Sequence, residues 1–386
     1  MRVALYDGEI FNDGAVPILP TDPTNLLPLL AFISDHGFTA AFRTINRKLI
    51  MGCGYFLKVP FDFAHWQRIA AKIYPNGLPE PYSDDPTQWL FHGHPRYAEA
   101  GTELHVALAR LTGYRWPAET DPEMRLSAEA RARIAAAATL PEADADGLLA
   151  LVPVLGERAL ADRLRAYCAA AWGAPLTPAR EAELVRAADT RLDKKSAKDA
   201  TLEAWLRDRA FRQHCALFHQ RPFLWQVWDG LTDGFSAFLH YHRLDRATLE
   251  KLTYTLLNEW ITRAQAAGET AREDRARQLQ QRLIAILTGE APLDIFVRWK
   301  PLARQPIGWD PDLDDGVRLN IRPFMTAGVL REQPKGITWG KDRGTDVASA
   351  PWFHLGPRYG EKEGARINDH HLSLEDKHQA RAKAAE

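Results

Sequence analysis

Cysteine is scarce in this chain. Cys53, Cys168 and Cys215 are the three among 386 residues, far apart and with no Cys-x-x-Cys pair. That excludes a disulfide framework and a cysteine zinc site, and fits a reducing compartment. Net charge is missing as well: 49 Lys and Arg against 50 Asp and Glu leave −1. Any attraction for a polyanion must therefore be local. No apolar run approaches the ~20 residues of a membrane helix. The N-terminus, MRVALYDGEIFNDG, lacks the basic head and apolar core of a signal peptide. A cytoplasmic protein with no membrane partner is the expectation. Catalytic signatures are absent too: there is no GxGxxG after a strand, no phosphate loop ending in GKS or GKT, no HExxH and no GxSxG.

What is present divides the chain into regions, and its length allows two or three domains. Residues 1–122 read as mixed α/β, with a strand-like MRVALYDGEIF closed by Asn12-Asp13-Gly14 and a short apolar helix over 26–34. Within them, 58–95 is rich in proline and in aromatic rings, including Trp66, Tyr74, Tyr82, Trp89 and Phe91. Proline fixes φ and removes a donor, so most of that run is expected to be irregular. Its rings argue for an ordered, contact-making loop over a disordered one; a crossing strap packed on the core is the competing reading. Residues 94–112 look helical, ended by Trp116-Pro117.

Residues 123–215 are rich in Ala, Arg and Glu, with apolar positions at three- and four-residue steps. They read as a helical insert with Ser127 and Thr177 as N-caps. In 216–300, period-two patterning around Asp229-Gly230 and Asp233-Gly234 predicts a β-hairpin. Two long helices follow, capped by Asp245 and broken by Gly268 into an αα-hairpin. Residues 301–386 are a Gly-, Trp- and base-rich loop region ending in a charged helical tail. The fold class expected is α+β and mostly helical, with loop-rich elements around helical bundles.

Two stretches gather positive charge. No acidic residue lies between Gly37 and Phe61, where Arg43, Arg47, Lys48 and Lys58 stand. The run RLNIRPFMTAGVLREQPKGITWGKDRG holds Arg318, Arg322, Arg331, Lys335, Lys341 and Arg343 against Glu332 and Asp342, with Gly336, Gly340 and Gly344 flanking Trp339. Basic residues interleaved with a ring suit phosphate contact plus base stacking; a solvated basic face or a buried Trp is the plainer alternative.

The histidine pairs His92/His94, His240/His242 and His370/His371 have no Cys or carboxylate at ligand spacing. Asp310, Asp312, Asp314 and Asp315 resemble the start of a calcium loop, but Gly316 comes one place late and Ile321 stands where the closing Glu belongs. They are expected in a turn exposing carboxylates.

The blocks KVPFDFAHW, YPNGLPEPYSDDPTQWLFHGHP, DDGVRLNIRPFMTAGVLR, ITWGKDRG and ARINDHHLSLEDKHQAR resemble the C-terminal part of large adenine-specific DNA methyltransferases. These are type IIG-like enzymes of restriction and phage-defence systems, of the BREX and DISARM kind. The resemblance runs through 20–95 and 215–382.

In that family an upstream domain binds S-adenosylmethionine and carries an Asn/Asp-Pro-Pro-Tyr/Phe motif. No Pro-Pro occurs here, and MGCGYF does not follow the Gly-rich cofactor pattern. The resemblance thus implies a target-recognition half with no catalytic residue and no cofactor of its own. S-adenosylmethionine would belong to a missing catalytic domain or subunit, and double-stranded DNA would be the other partner. Phosphate grip would fall to Arg43, Arg47, Lys48, Lys58, Arg318, Arg322, Lys335, Lys341 and Arg343. Base reading would fall to Asn320 and Asn368, because Asn suits an adenine edge. Trp66, Trp89 and Trp339 are candidate wedges for base extrusion. A protein-interaction module docking through the αα-hairpin, and a metal-dependent nuclease using the histidine pairs, are the competing classes.

Overall fold

The computed structural model describes residues 3, 5, 17–47, 53–78, 93–124, 126, 128–193, 200–297, 299–337, 353–360, 362–364 and 370–386. The chain forms two units, one of residues 1–83 with 123–128, the other of 84–122 with 129–386. The second takes in the helical insert from residue 129 on, the hairpins and the C-terminal tail together. The strand-like N-terminus and the Ser127 cap lie outside the described residues.

Unit 1 is built from α1 (Leu26–Ser34), α2 (His36–Ile45), α3 (Cys53–Phe56) and α4 (Phe63–Ile73). Helix α1 coincides with the apolar run read from the sequence. Inside the run 58–95, most of which was expected to be irregular and of which 79–92 lie outside the described residues, helix α4 is a regular element. The prolines bracket it, Pro60 before and Pro75 after, and FAHWQRIAAKI between them contains none. Asp62 starts it by accepting from the His65 N–H at 3.0 Å, a side-chain cap of the kind that satisfies an otherwise unpaired helix donor. The core is a cluster of rings, Phe32, Phe38, Phe42 and Phe56, with Val59. Phe32 and Phe38 meet edge to face at 4.9 Å, and Trp66 stands against Phe32 at 5.4 Å. Trp66, expected as an extrusion wedge, is therefore rooted in this cluster; Trp89 and Trp339 lie outside the described residues.

Unit 2 begins with α5 (Glu103–Leu111), which ends well before Trp116-Pro117. Pro117 opens the short α6 (Pro117–Thr120), where its missing N–H costs nothing. The insert folds as α7 (Ala128–Ala138), α8 (Leu160–Trp172), α9 (Pro178–Ala188), α10 (Leu202–Asp208) and α11 (Ala210–Leu217). Thr177 caps α9 as expected, accepting from the Arg180 N–H at 3.2 Å.

The sheet is antiparallel in the order β1-β3-β2, from β1 (Leu148–Ala150), β2 (Leu224–Trp228) and β3 (Ser236–His240). β2 and β3 are the expected hairpin, with Trp225 opposite Leu239 and Val227 opposite Ala237. Asp229 holds its turn by accepting from the N–H groups of Leu231 and Phe235 at 2.9 and 2.6 Å. Side chains on both faces of the sheet are buried, because insert helices and the αα-hairpin contribute to one continuous core.

That αα-hairpin runs through α12 (Arg246–Glu250), a π-helical stretch over Lys251–Leu256, α13 (Leu257–Ala266) and α14 (Thr270–Thr288). Asp245 caps it, accepting from the Thr248 N–H at 2.7 Å. Helix α14 stops at Gly289, where an added Cβ would stand 2.5 Å from Gly308 Cα. Two backbones cross there, and a side chain on either would force them apart. Beyond lie α15 (Val317–Asn320), α16 (Arg322–Ala327) and the tail helix α17 (Leu374–Ala385). Among the described residues no helix is long and apolar enough to cross a membrane.

Candidate nucleic-acid interface

Three separate segments of unit 2 converge on one basic crevice. The first follows α11, whose chain leaves the helix through His219 and Gln220, both at positive φ, 51° and 62°. Non-glycine residues adopt that conformation at a cost and keep it only where the surroundings impose it. Here the Gln220 N–H donates back to the Cys215 carbonyl at 2.7 Å and the Arg221 N–H to the Phe218 carbonyl at 2.9 Å, closing the helix end.

The second segment is α15 with Ile321. The third is the loop at Lys335–Ile337, whose approach is fixed in two ways. Residues 329–331 pair along the edge of β2, with the Trp228 N–H donating to Val329 at 3.0 Å and the Arg331 N–H to Gln226 at 2.8 Å. The Lys335 N–H then donates to the Gln220 side-chain carbonyl at 2.7 Å. Gln220 is thus the pin between a strained helix exit and the basic loop.

The crevice has a volume of about 100 Å³, lined on its polar side by His219, Arg221, Arg318 and Lys335 and on its apolar side by Pro222 and Ile321. Among the described residues no carboxylate lines it. Exposed cations around a small concavity raise the local concentration of an anion, an effect that salt screens. Backbone at Gly336, with φ 74°, lets a ligand approach closely because no Cβ intervenes. The chemistry on offer is recognition of a phosphate group. Gly336 apart, the sequence pointed to Arg318 and Lys335; it gave no sign of Arg221 or of the His219-Gln220 bend. The polar run HQRP directly after an apolar helix end was the available signal.

Other expected site residues go elsewhere. Asn320 is fully buried: its side-chain N–H groups donate to Tyr241 Oη and to the Asp312 carbonyl, both at 2.8 Å. That corrects its assignment as a base reader. Arg322 is a second correction. The helix breaks at Ile321, so Arg322 turns inward, unlike Arg318 one turn earlier, and is buried with Nη1 donating to the His370 carbonyl at 2.9 Å.

Arg331 lies 4.0 Å over the Trp228 ring and pairs with Asp208 at 3.2 Å, so it braces the hairpin. Arg43, Arg47 and Lys58 belong to unit 1; Arg47 and Lys58 are exposed, and Lys58 Nζ sits 5.3 Å from the Tyr55 ring. Lys48, Trp339, Lys341, Arg343 and Asn368 lie outside the described residues.

The histidines have structural work. His240 is buried with Nδ1 bonded to the Thr112 carbonyl at 3.1 Å, and burial pushes it down to about 3. His94 Nδ1 accepts from the Arg96 N–H at 3.2 Å. His371 joins Asp294 to Arg322: Nε2 accepts from the guanidinium at 2.6 Å, which places the proton on Nδ1, donated to Asp294 at 2.6 Å. The carboxylates of the 310–315 run are not all exposed. Lys300 Nζ bridges Asp312 and Asp315 at 2.8 and 2.6 Å, and Asp315 is buried. No group of three or more metal-ligating side chains occurs among the described residues.

No family model matches this chain. It is similar to the adenine-specific methyltransferase PglX of Lacticaseibacillus casei (strain Zhang), with 25% identity over 143 residues. That match covers 34% of this chain and 12% of the relative, so the chain corresponds to a small part of that protein's length. A distant, partial relation to an adenine-specific methyltransferase is what the comparison establishes.

Proposed function

We propose that this chain is a DNA-binding, target-recognition portion of an adenine-specific DNA methyltransferase of a restriction or phage-defence system. The observation that carries the reading is the crevice of Arg221, Arg318 and Lys335, three cations with no carboxylate among the described residues of its walls. The relation to PglX supports the methyltransferase context. In this reading the chain grips backbone phosphates while a separate catalytic domain or subunit binds S-adenosylmethionine and transfers the methyl group to adenine. Phosphate contacts set register and orientation on a duplex and carry no sequence information themselves. Of the base readers expected from the sequence, Asn368 remains a candidate, and Lys341 and Arg343 remain candidates for phosphate contact.

The test is duplex binding at two salt concentrations. Contacts to several phosphates make affinity fall steeply, by orders of magnitude, between about 50 and 200 mM salt. The pair Arg318→Glu with Lys335→Glu should weaken binding at low salt by about tenfold or more and flatten the salt dependence. Both residues are exposed, and the melting temperature is measured alongside so that loss of binding is read only in a folded variant. Unchanged duplex affinity in that pair, with the fold intact, refutes the crevice as the DNA contact.

A further inference from the structure

Among the described residues that line the basic crevice, Gln220 is the one carboxamide. Such a side chain has an oxygen that only accepts and a nitrogen that only donates. A backbone N–H can only donate, so the 2.7 Å bond from the Lys335 N–H fixes which end of the amide is which. The oxygen is taken by the loop. The N–H2 group on the other arm makes no hydrogen bond among the described residues, and Gln220 is half-buried.

The residue is also held at its backbone. Its N–H donates to the Cys215 carbonyl at 2.7 Å, and its φ of 62° keeps the chain turned out of α11. Main chain and amide oxygen are therefore both tied before any ligand arrives. A long polar side chain ordered in advance loses little further freedom on binding. Arg221, Arg318 and Lys335 line the same crevice. Their charge attracts an anion from any direction, whereas an amide N–H needs an acceptor oxygen in line with it.

We propose that Gln220 contacts the phosphate group bound in the crevice, its N–H2 donating to a phosphate oxygen while its carbonyl stays on the Lys335 N–H. Glutamine side chains are among the groups that reach phosphate oxygens in nucleic-acid interfaces. This rests on the nucleic-acid reading above and adds to it one uncharged contact. The contact differs measurably from mere support of Lys335. A cation on a phosphate releases a counterion and steepens the salt dependence; a neutral donor releases none.

The full-length chain would be titrated with a labelled duplex of about 15 base pairs at about 50, 100 and 200 mM salt. Gln220→Gly accommodates the positive φ and removes the amide. Its affinity should fall about tenfold at every salt concentration, with the slope against salt unchanged, because a hydrogen bond to a charged group is lost. Lys335→Ala is the reference and should lower that slope by about one. A slope lowered by about one in Gln220→Gly overturns the contact, since Gln220 would then act only by holding Lys335. Wild-type affinity in Gln220→Gly overturns it as well. Gln220→Glu keeps an oxygen for the Lys335 N–H but puts an anionic oxygen where the N–H2 stood. It should lose at least as much affinity as the glycine variant, and it serves if that variant fails to fold; wild-type affinity in it overturns the contact. Failure of the crevice reading is a different outcome, seen when Arg318→Glu with Lys335→Glu leaves duplex binding intact.

Discussion

Unit 1 packs its centre with phenylalanine rings and a valine, whereas unit 2 closes its interior over aspartate, arginine, lysine and several histidines. Their surfaces differ in the complementary sense. In unit 1, exposed apolar side chains include Leu57 at 84% and Ile73 at 55%, although it is the smaller unit. An interior held by paired charges is rigid and specific, because each buried polar group must keep its partner. A small apolar core under an apolar surface depends far less on any one contact. The difference teaches which unit is scaffold: unit 2 positions a crevice from three distant segments, and unit 1 presents side chains outward.

The largest effect should come from the charged interior of unit 2. Lys377 is fully buried, donating to the carbonyls of Ile295 and Pro306 at 3.1 and 2.6 Å, with Asp294 3.8 Å away; burial pulls its ammonium below the ordinary range. Asp294 also accepts from His371 and from the Leu372 N–H, tying the tail to the 290–306 loop. Asp294→Ala removes the counter-charge and leaves the cation buried. Breaking such a pair costs about 3–5 kcal/mol. Urea unfolding should show it as a lower midpoint, with α17 exchanging amide hydrogen early. A midpoint near wild type would mean that Asp294 does not carry the tail's docking.

Next in size is a pH effect, also confined to unit 2. Burial lowers His105 to about 4 and His240 to about 3 from 6.5. The unfolded chain takes up protons first as pH falls below about 6.5, so it is favoured there. Stability is full above that value, declines between about 6.5 and 4, and the His105 contribution levels off below 4. At ~1.4 kcal/mol per pKa unit, the limit is roughly 3.5 kcal/mol for His105 and roughly 5 kcal/mol for His240. Melting temperature should drop from pH 7.5 to pH 5. In His240→Asn the amide N–H takes over the bond to the Thr112 carbonyl, so the drop should shrink. An identical pH profile in the variant would show that His240 is not buried neutral.

These contrasts mark what a sequence discloses. Helix α1, the hairpin with Trp225 facing Leu239, the αα-hairpin and the Thr177 and Asp245 caps were legible because each is written in neighbouring residues. β1 was not: three residues carry no period, and Leu148–Ala150 is a strand only because β3 lies beside it. Helix α4 was hidden by proline on both sides. Half the candidate crevice was legible, Arg318 and Lys335, since exposed charge follows composition. The rest was not, because the left-handed turn at His219-Gln220 and the burial of Asn320 and Arg322 depend on partners dozens of residues away. The described part of that basic run thus mixed two surface cations, Arg318 and Lys335, with the half-buried Arg331 and the buried Arg322, and only packing separates them.

The smallest effect sharpens the comparison from the side of unit 1. Asp62 Oδ1 takes the His65 N–H at 3.0 Å and is the local start signal of α4. Removing a cap of this kind costs about 1 kcal/mol. With few interior groups to be orphaned, unit 1 should register Asp62→Ala as local fraying. Amide exchange in peptides covering 63–73 should speed up, by roughly fivefold for that energy, while exchange in β2 and β3 of unit 2 stays at wild-type rates. Asp62→Asn retains an accepting oxygen and should restore protection. If exchange in β2 and β3 accelerated equally, the two units would share a single unfolding transition, and the division into a charge-locked scaffold and a loosely held presenting unit would fail.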